Sequence, residues 1–182
     1  MRIRETFLAI SQHKKGSISI EFALLLPLMV MFFVGTASLL NIISCYQKVH
    51  VTARAVADMV AQNGTATMKA DEIDGILKTG ILTLWPFDAS QARITVTSFV
   101  QEQSGVPKVL WSRGSEPRGK NSTYPVLDGF SSQRSTSFIY SEVKYNDSYI
   151  VSTIFDMIKT SVLSAEITMT PRNVDVIECS SC

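Results

Sequence analysis

An uncharged apolar run near the N-terminus constrains this chain more than any other feature of its sequence. No residue from Phe22 through Gln47 carries a charge, and the side chains from Phe22 to Leu40 are almost all apolar or small. A hydrocarbon core of roughly 30 Å is crossed by about 20 helical residues, and soluble core helices rarely continue that far without a charge. The run therefore predicts one membrane-spanning helix, which we assign to residues 17–47.

The charges that flank this run predict its orientation. Four basic residues precede the run and one follows it closely, namely Arg2, Arg4, Lys14, Lys15 and Lys48. Because loops rich in Lys and Arg stay in the cytoplasm, we expect a cytoplasmic N-terminus and an exported remainder. A length of 182 residues accommodates one such span and one modest exported domain, which we assign to residues 48–182.

Glu21 lies at the front edge of the apolar run, five residues after Gly16. A carboxylate costs about 2.5 to 3.5 kcal/mol at the centre of a membrane and less near an interface, so one interpretation is a tolerated interfacial residue. The other is that Glu21 meets a cation when chains pack together, because an unpaired charge in apolar surroundings is costly. Cleavage after Gly16 would create such a cation, since the α-amine of Ser17 would lie one helical turn from Glu21.

Short segments of the sequence carry a family resemblance. GSISIEF at residues 16–22 resembles the processing motif of type IV prepilins, which has a glycine before the cleaved bond and a glutamate at the fifth mature position. SIEFALLLPL at residues 19–28 is similar to the TadE-like pseudopilins of tight-adherence (Tad, Flp) pilus systems, in which Glu-Phe and a following proline occur together. RAVADMVA at residues 54–61 and TMTPR at residues 168–172 resemble the same family more weakly.

The resemblance implies a function and a set of partners. It implies that a basic leader, residues 1–16, is cleaved between Gly16 and Ser17 by a membrane-embedded prepilin peptidase, and that Glu21 and Phe22 serve recognition or subunit packing. The implied protein is an oligomer-forming minor pseudopilin of the bacterial inner membrane. It would act with other pilins, pseudopilins and inner-membrane assembly proteins in a Tad (Flp) adhesive pilus or a related secretion system. The choice between a TadE-like and a TadF-like protein stays open.

Two other interpretations of the N-terminal segment stay open as well. Residues 22–34 would serve as the apolar region of a secretory signal peptide, with Gly35-Thr36-Ala37 as the cleavage site before Ser38. The uncharged continuation to Gln47 and the carboxylate of Glu21 weigh against this interpretation, since such regions are short and free of charge. The remaining interpretation is an unprocessed single-pass membrane protein with a periplasmic binding module.

Three cysteines occur in the chain. Cys45 lies at the outer end of the span, where we predict a small packing residue. Cys179 and Cys182 have the C-x-x-C spacing of thiol oxidoreductases, which would make the chain a secreted redox protein, but no strand-helix-strand context precedes them. In an oxidising exported compartment we predict a disulfide between the two, or a bond to a partner subunit.

Composition and motifs predict neither catalysis nor nucleic-acid binding. A formal net charge of +1 supplies no basic face for phosphates, and we expect the Ser-, Gly- and Arg-rich residues 113–137 to form a solvated loop. Neither His13 nor His50 has a nucleophile or metal-ligand pattern around it. We therefore expect no enzyme activity, no metal and no cofactor.

Periodicity predicts an α+β fold. The helix is expected to run from Ile18 to Asn63, with Arg54 and Asp58 as an i, i+4 ion pair worth a few tenths of a kcal/mol. A second helix is expected to begin near a capping Asp71. Period-two alternation predicts four strands, at residues 93–100, 108–112, 138–145 and 165–170. Together they predict an antiparallel sheet of about four strands packed on the exported half of the long helix, as in pilins.

Overall fold

The computed structural model describes residues 14–101, 106–123, 136–146 and 162–182, with the backbone alone at residues 14–18 and 136. The chain divides into two compact units, Met1–Asn41 and Ile42–Cys182, called here the N-terminal and C-terminal units. The elements in chain order are α1 Lys14–Ala61, β1 Thr67–Lys69, α2 Ala70–Leu82, a 3-10 turn Ala89–Gln91, β2 Ala92–Gln101, β3 Lys108–Gly114, β4 Thr136–Asn146, β5 Val162–Met169 and β6 Glu178–Ser180.

In the N-terminal unit all described residues belong to α1. Pro27 lies inside the helix without ending it, although a proline removes one backbone hydrogen bond. Hydroxyl groups further along the helix are satisfied by its own carbonyls: Thr36 Oγ1 donates to Phe32 O at 3.0 Å and Ser38 Oγ donates to Val34 O at 2.9 Å. Such local bonds keep polar side chains compatible with apolar surroundings.

The C-terminal unit is built on a four-stranded antiparallel sheet in the order β3-β2-β4-β5. One face of the sheet contributes Ile94, Val96, Ile139 and Val143 to a buried core. The last part of α1 contributes to the same core through its own buried face, which consists of Cys45, Val49, Ala53, Val56 and Val60. The predicted α+β fold with about four antiparallel strands is therefore confirmed.

Helices α1 and α2 pack closely at one point. Thr52 Oγ1 and Thr83 Oγ1 share a hydrogen bond of 2.6 Å, and Gly80 of α2 is buried against Val56 of α1. A Cβ at residue 80 would collide with the Val56 side chain, so the contact requires glycine there. Because Thr83 faces Thr52 and Gly80 faces Val56, the two helices run antiparallel.

Strand β2 is buried on both faces, whereas the period-two alternation of residues 93–100 is typical of a strand with one exposed face. Thr95 and Thr97 are as buried as Ile94 and Val96. Their hydroxyls accept hydrogen bonds from the segment after β3, since Glu116 N donates to Thr95 Oγ1 and Arg118 Nη1 donates to Thr97 Oγ1, each at 3.1 Å. Tertiary contacts rather than periodicity determine this burial.

The residues after β3 also differ from the expected solvated loop. Arg113 belongs to β3 itself, and the Arg118 side chain is only 15% exposed. The described part of the loop therefore packs on the sheet, while residues 124–135 lie outside the described residues. Gln103-Ser104-Gly105, a sequence typical of a turn between two strands, lies within residues 102–105, which are also outside the described residues.

Element ends show smaller differences. Helix α1 ends at Ala61, two residues before the predicted Asn63. Asp71 is not the cap of α2: the helix begins at Ala70, and Glu72 Oε2 accepts a hydrogen bond of 3.1 Å from Lys69 N. Strands β1 and β6 form a parallel pair that periodicity did not reveal, because strands of three residues have too few positions to show alternation.

Candidate functional site

The predicted processing and packing residues lie at the start of α1. Gly16 and Ser17 have helical backbone, and Glu21 follows Ser17 by about one turn of helix. Glu21 and Phe22 are both exposed. A cut between Gly16 and Ser17 would therefore leave the new α-amine within one turn of the Glu21 carboxylate. The cut itself, and the domain boundaries at residues 16 and 47, stay predictions.

The same helix has the properties of a membrane anchor. In the described part of the chain, one helical stretch, Ser19–Ala61, is long and apolar enough to cross a membrane. Its large apolar side chains between Ile20 and Leu40 are exposed, with Leu24 at 72% and Phe33 at 74%. A surface of this kind is stable against lipid or other apolar helices rather than against water. The helix therefore suggests a single-pass anchor near the N-terminus.

The two weaker family similarities, residues 54–61 and 168–172, come into contact in the structure. Arg172 Nη2 donates a hydrogen bond of 2.6 Å to Asp58 Oδ1. Asp58 also accepts from Gln62 Nε2. In the described residues Arg54 makes no ion pair, so the predicted partner of Asp58 was wrong and the actual partner comes from the far end of the sequence.

Backbone groups complete this contact. Arg172 N donates to Ala61 O at 3.1 Å, and Asn173 Nδ2 donates to Gln62 O at 3.0 Å. The last carbonyls of a helix have no partner within it, so residues 172 and 173 satisfy acceptors at the end of α1. We call Asp58, Gln62, Arg172 and Asn173 the clasp. Residues 54–61 and 168–172 each resemble the family in sequence, but their sequences do not indicate that they contact each other.

An open groove adjoins the clasp. The residues lining it include Arg54, Asp58, Glu166, Ile167 and Arg172. Residues of both charge signs therefore adjoin the groove, Arg54, Arg172 and Asp58 among them. Its mixed lining is of the kind found at protein–protein contacts.

Cys179 and Cys182 are bonded to each other in the structure, with Cα atoms 5.7 Å apart. Cys179 lies in β6 opposite Met68 of β1, so the bond is next to the parallel pair of strands. Trp111 Nε1 of β3 donates a hydrogen bond of 2.8 Å to the carbonyl of Ile177, the residue just before β6. This bond connects the C-terminal tail to the sheet. Cys45 is buried in the core and takes no part in this disulfide, which agrees with its predicted packing role.

A cluster of charges lies on the outer face of the sheet. Glu142 is bonded to Arg118 and Lys144, at 2.5 and 2.8 Å, and Lys144 also bonds Glu116 at 2.9 Å. Burial by itself raises the pKa of Glu142, but hydrogen bonds from Lys144 and Arg118 outweigh burial and hold that pKa below its ordinary value. The Arg118 guanidinium also lies 5.0 Å from the centre of the Tyr140 ring.

A second ion pair connects α2 to the sheet. Arg113 donates two hydrogen bonds to the Asp74 carboxylate, at 2.6 and 2.7 Å, and they hold the pKa of Asp74 below its ordinary value. The guanidiniums of Arg113 and Arg118 therefore both bind carboxylates of this chain.

The described residues contain no group of three or more His, Cys, Asp or Glu side chains that could hold a metal ion. His50, the histidine with a described side chain, lies edge-on to the Tyr46 ring with centroids 4.4 Å apart. This ring contact is a packing arrangement on the surface of α1. The arrangement provides no nucleophile beside the imidazole.

Comparison with known proteins connects these features to a family. Residues 16–58 match the family model described as TadE-like protein. A comparison with curated proteins and one with solved structures found no match to the chain. The matched segment includes Gly16, Glu21 and Asp58, and it suggests a component of a Tad pilus system that associates with other pilus proteins. The N-terminal segment of this chain is therefore similar to TadE-like proteins over residues 16–58.

Proposed function

We propose that this protein is a minor pseudopilin that is processed after Gly16 and acts in the assembly of a Tad (Flp) adhesive pilus or a related secretion system. The observation that carries the proposal is the position of Gly16, Ser17 and Glu21 in one helix, with Glu21 about one turn after Ser17, inside the family match. A prepilin peptidase is the proposed first partner. Other pilins, pseudopilins and inner-membrane assembly proteins are the later ones.

In this proposal Glu21 acts through charge. Cleavage leaves an α-amine at Ser17, and a protonated α-amine is a cation. An ammonium and a carboxylate in apolar surroundings attract each other strongly and in a defined geometry. The amine of one subunit and Glu21 of a neighbour would therefore set the register in which the apolar helices pack.

The proposed location is the bacterial inner membrane, with a cytoplasmic N-terminus and a periplasmic C-terminal unit. The basic residues before the span support this orientation. An exported C-terminal unit is also compatible with the bond between Cys179 and Cys182, since disulfides persist in oxidising compartments. The role is one of assembly through contacts, without catalysis.

The decisive experiment is to determine the mature N-terminus. Protein purified from membranes of its native cells should begin at Ser17, and the Gly16→Val variant should retain Met1, as read by intact mass. Gly35→Val is the matched control, because Gly35 lies in the same helix with open space around it. This control variant should still begin at Ser17.

Other N-termini would reject the proposal in distinct ways. A mature chain that starts at Ser38 would identify a secretory signal peptide. A wild-type chain that retains Met1 would identify an unprocessed membrane protein. For the proposed pairing, Glu21→Gln should leave processing intact and lower the recovery of other pilus proteins with the subunit, because the amide removes the negative charge and keeps the shape.

A further inference from the structure

One end of the C-terminal unit gathers large apolar side chains that remain exposed. Trp85 is 78% exposed and Leu82 is 74% exposed. The others are Val162, Tyr46 and Ile43. We call these five residues the proximal patch. They come from three separate parts of the sequence, so their position at a common end is a property of the fold.

Helix packing brings Leu82 and Trp85 to this end. Thr83 bonds Thr52 of α1 at 2.6 Å, and α2 runs antiparallel to α1. The chain beyond Thr83 therefore continues in the direction of Ile43, where α1 enters the C-terminal unit. Leu84 is fully buried in the core cluster that contains Cys45, so Trp85 projects from a firmly packed segment.

Sheet register brings Val162 to the same end. The Phe87 ring lies 6.4 Å from the Tyr145 ring, which places the beginning of β2 and the end of β4 next to the segment that carries Trp85. Tyr145 is paired with Leu163 of β5. Val162, 53% exposed, is therefore at the end of the sheet nearest Trp85.

The chain itself indicates what this end meets. Ile42, the first residue of the C-terminal unit, lies two residues after Leu40, where the most apolar part of the uncharged run ends. Tryptophan and tyrosine are enriched at membrane–water interfaces, where an apolar ring and one polar N–H or O–H are both accommodated. Contiguous exposed apolar surface marks an interaction site.

We propose that the proximal patch is a lipid-contacting surface, which rests against the interfacial region of a phospholipid bilayer with Trp85 at its centre. The inference depends on the single membrane anchor of the proposed function and not on cleavage after Gly16. Through Leu82, Trp85 and Val162 it gives the C-terminal unit an attachment to the membrane in addition to the span. Withdrawal of a subunit from the bilayer would then have to release both the span and the patch.

Lipid-borne quenchers test this contact in the full-length chain. The protein is reconstituted in phosphatidylcholine vesicles whose acyl chains carry bromine near the headgroup, and tryptophan emission is measured. The wild type has two tryptophans, exposed Trp85 and buried Trp111. We expect brominated lipid to quench the wild type at least twofold more than Trp85→Phe, and aqueous iodide to quench the wild type little more than that variant.

Val106 provides the matched control. It is also an exposed aliphatic residue, but it precedes Lys108, which pairs with Val100 near the other end of β2. In the double variant Trp85→Phe with Val106→Trp, the new tryptophan should be quenched by iodide and not by brominated lipid. Retention of the protein in vesicle pellets after alkaline carbonate washing verifies that the span is inserted in each sample.

Two results would overturn the proposal. The first is equal quenching by brominated lipid at positions 85 and 106 in protein whose span is inserted. The second is quenching of Trp85 by iodide in pure lipid vesicles but not in native membranes, because a protein partner and not lipid would then cover the patch. If protein from native cells still begins at Met1 and brominated lipid quenches its Trp85, the patch is supported and processing after Gly16 is rejected. The two proposals can therefore fail separately.

Discussion

The Arg172 guanidinium donates a hydrogen bond of 2.6 Å to the Asp58 carboxylate, across 114 positions of sequence. The backbone N–H of the same arginine bonds the Ala61 carbonyl at the end of α1. One residue therefore neutralises a side chain of the helix and satisfies one of its terminal acceptors. This relationship fastens the segment after β5 to the helix that carries the family match.

Removal of the arginine should cost a small but measurable part of the stability. Because the Arg172 side chain is 60% exposed and that of Asp58 is 31% exposed, we expect Arg172→Ala to lower the free energy of unfolding by about 0.5 to 1 kcal/mol. Chemical denaturation in detergent, followed by fluorescence, measures the change. Adding Asp58→Ala yields the coupling between the two side chains.

Arg54→Ala is the control for this prediction. Arg54 lies one turn before Asp58 in α1 and is also exposed, but it has no ion pair in the described residues. Its replacement should change the unfolding free energy by no more than about 0.5 kcal/mol. Equal losses for Arg54→Ala and Arg172→Ala would show that general surface charge matters and that the clasp does not.

The contact between Gly80 and Val56 predicts opposite effects for two glycines of α2. Gly80→Ala should destabilise the protein by about 1 to 3 kcal/mol, because its Cβ would collide with a fully buried valine. Gly75→Ala should stabilise the protein by up to about 1 kcal/mol, since Gly75 faces open space and alanine favours helix. Thermal unfolding of both variants provides the comparison.

Relief of the collision tests the cause. In the double variant Gly80→Ala with Val56→Ala, the added methyl group would occupy space vacated by the valine. We expect this variant to be more stable than the sum of the two single effects predicts. If the two effects are additive, the destabilisation by Gly80→Ala does not come from its contact with Val56.

The ion pairs of Glu142 with Arg118 and Lys144 predict that the protein loses stability in acid. The pKa of Glu142 in the folded protein is below the ordinary value of 4.5, so the ionised carboxylate stabilises the fold above pH 4.5, and this contribution disappears as the pH falls through the folded-state pKa. Glu142→Gln should cost about 2 kcal/mol at pH 7, because Arg118 and Lys144 lose a buried acceptor. The variant should also show a shallower fall in Tm below pH 4.5 than the wild type.

Glu166→Gln is the matched control, since Glu166 is the exposed residue directly opposite Glu142 on β5. Like charges on facing strand positions repel each other. We therefore expect this control to leave stability at pH 7 unchanged or slightly raised. An acid profile of Glu142→Gln that overlies that of the wild type would contradict the assignment.

Loss of the cysteine bond should loosen the tail and leave the sheet intact. Closure of so short a loop contributes at most about 2 kcal/mol in the chain-entropy account. In the double variant Cys179→Ser with Cys182→Ser we expect faster amide hydrogen exchange at β1 and β6. Exchange in β2 and β4 should be unchanged.

Thiol titration of the unfolded wild type gives a second measurement for the same bond. Because Cys179 and Cys182 are bonded to each other, Cys45 should supply the single thiol that reacts in the unfolded chain. Three reactive thiols in protein purified without reductant would contradict the pairing. Faster exchange throughout the sheet of the double serine variant would show that the bond supports the core as well.

Much of the architecture was predictable because local patterns carry it. The uncharged run from Phe22 predicted the long helix, and alternation predicted the four sheet strands, since a helix face and a strand face each repeat over enough residues to be visible in sequence. The spacing of Gly16 and Glu21 resembles the type IV prepilin motif, and Glu21-Phe22 with the following Pro27 resembles the TadE-like family. Each of these signals lies within a few dozen consecutive residues.

The pairings across the fold were not predictable in this way. Arg54 appeared to be the partner of Asp58 because it is one turn away, yet Arg172 holds that carboxylate. Arg118 appeared to be a solvated loop residue, yet it bonds a buried glutamate. The sequence around a basic side chain does not indicate which distant carboxylate that side chain will bind.

Local patterns of the sequence indicate an apolar helix long enough to span a membrane, a candidate processing segment and a small α+β unit, because periodicity and charge distribution are local quantities. The contact between residues 58 and 172, the close approach of Gly80 and Val56, and the shared position of Trp85 and Val162 are visible only in the folded chain. These relationships depend on helix crossing and strand register, and both result from the packing of the whole core.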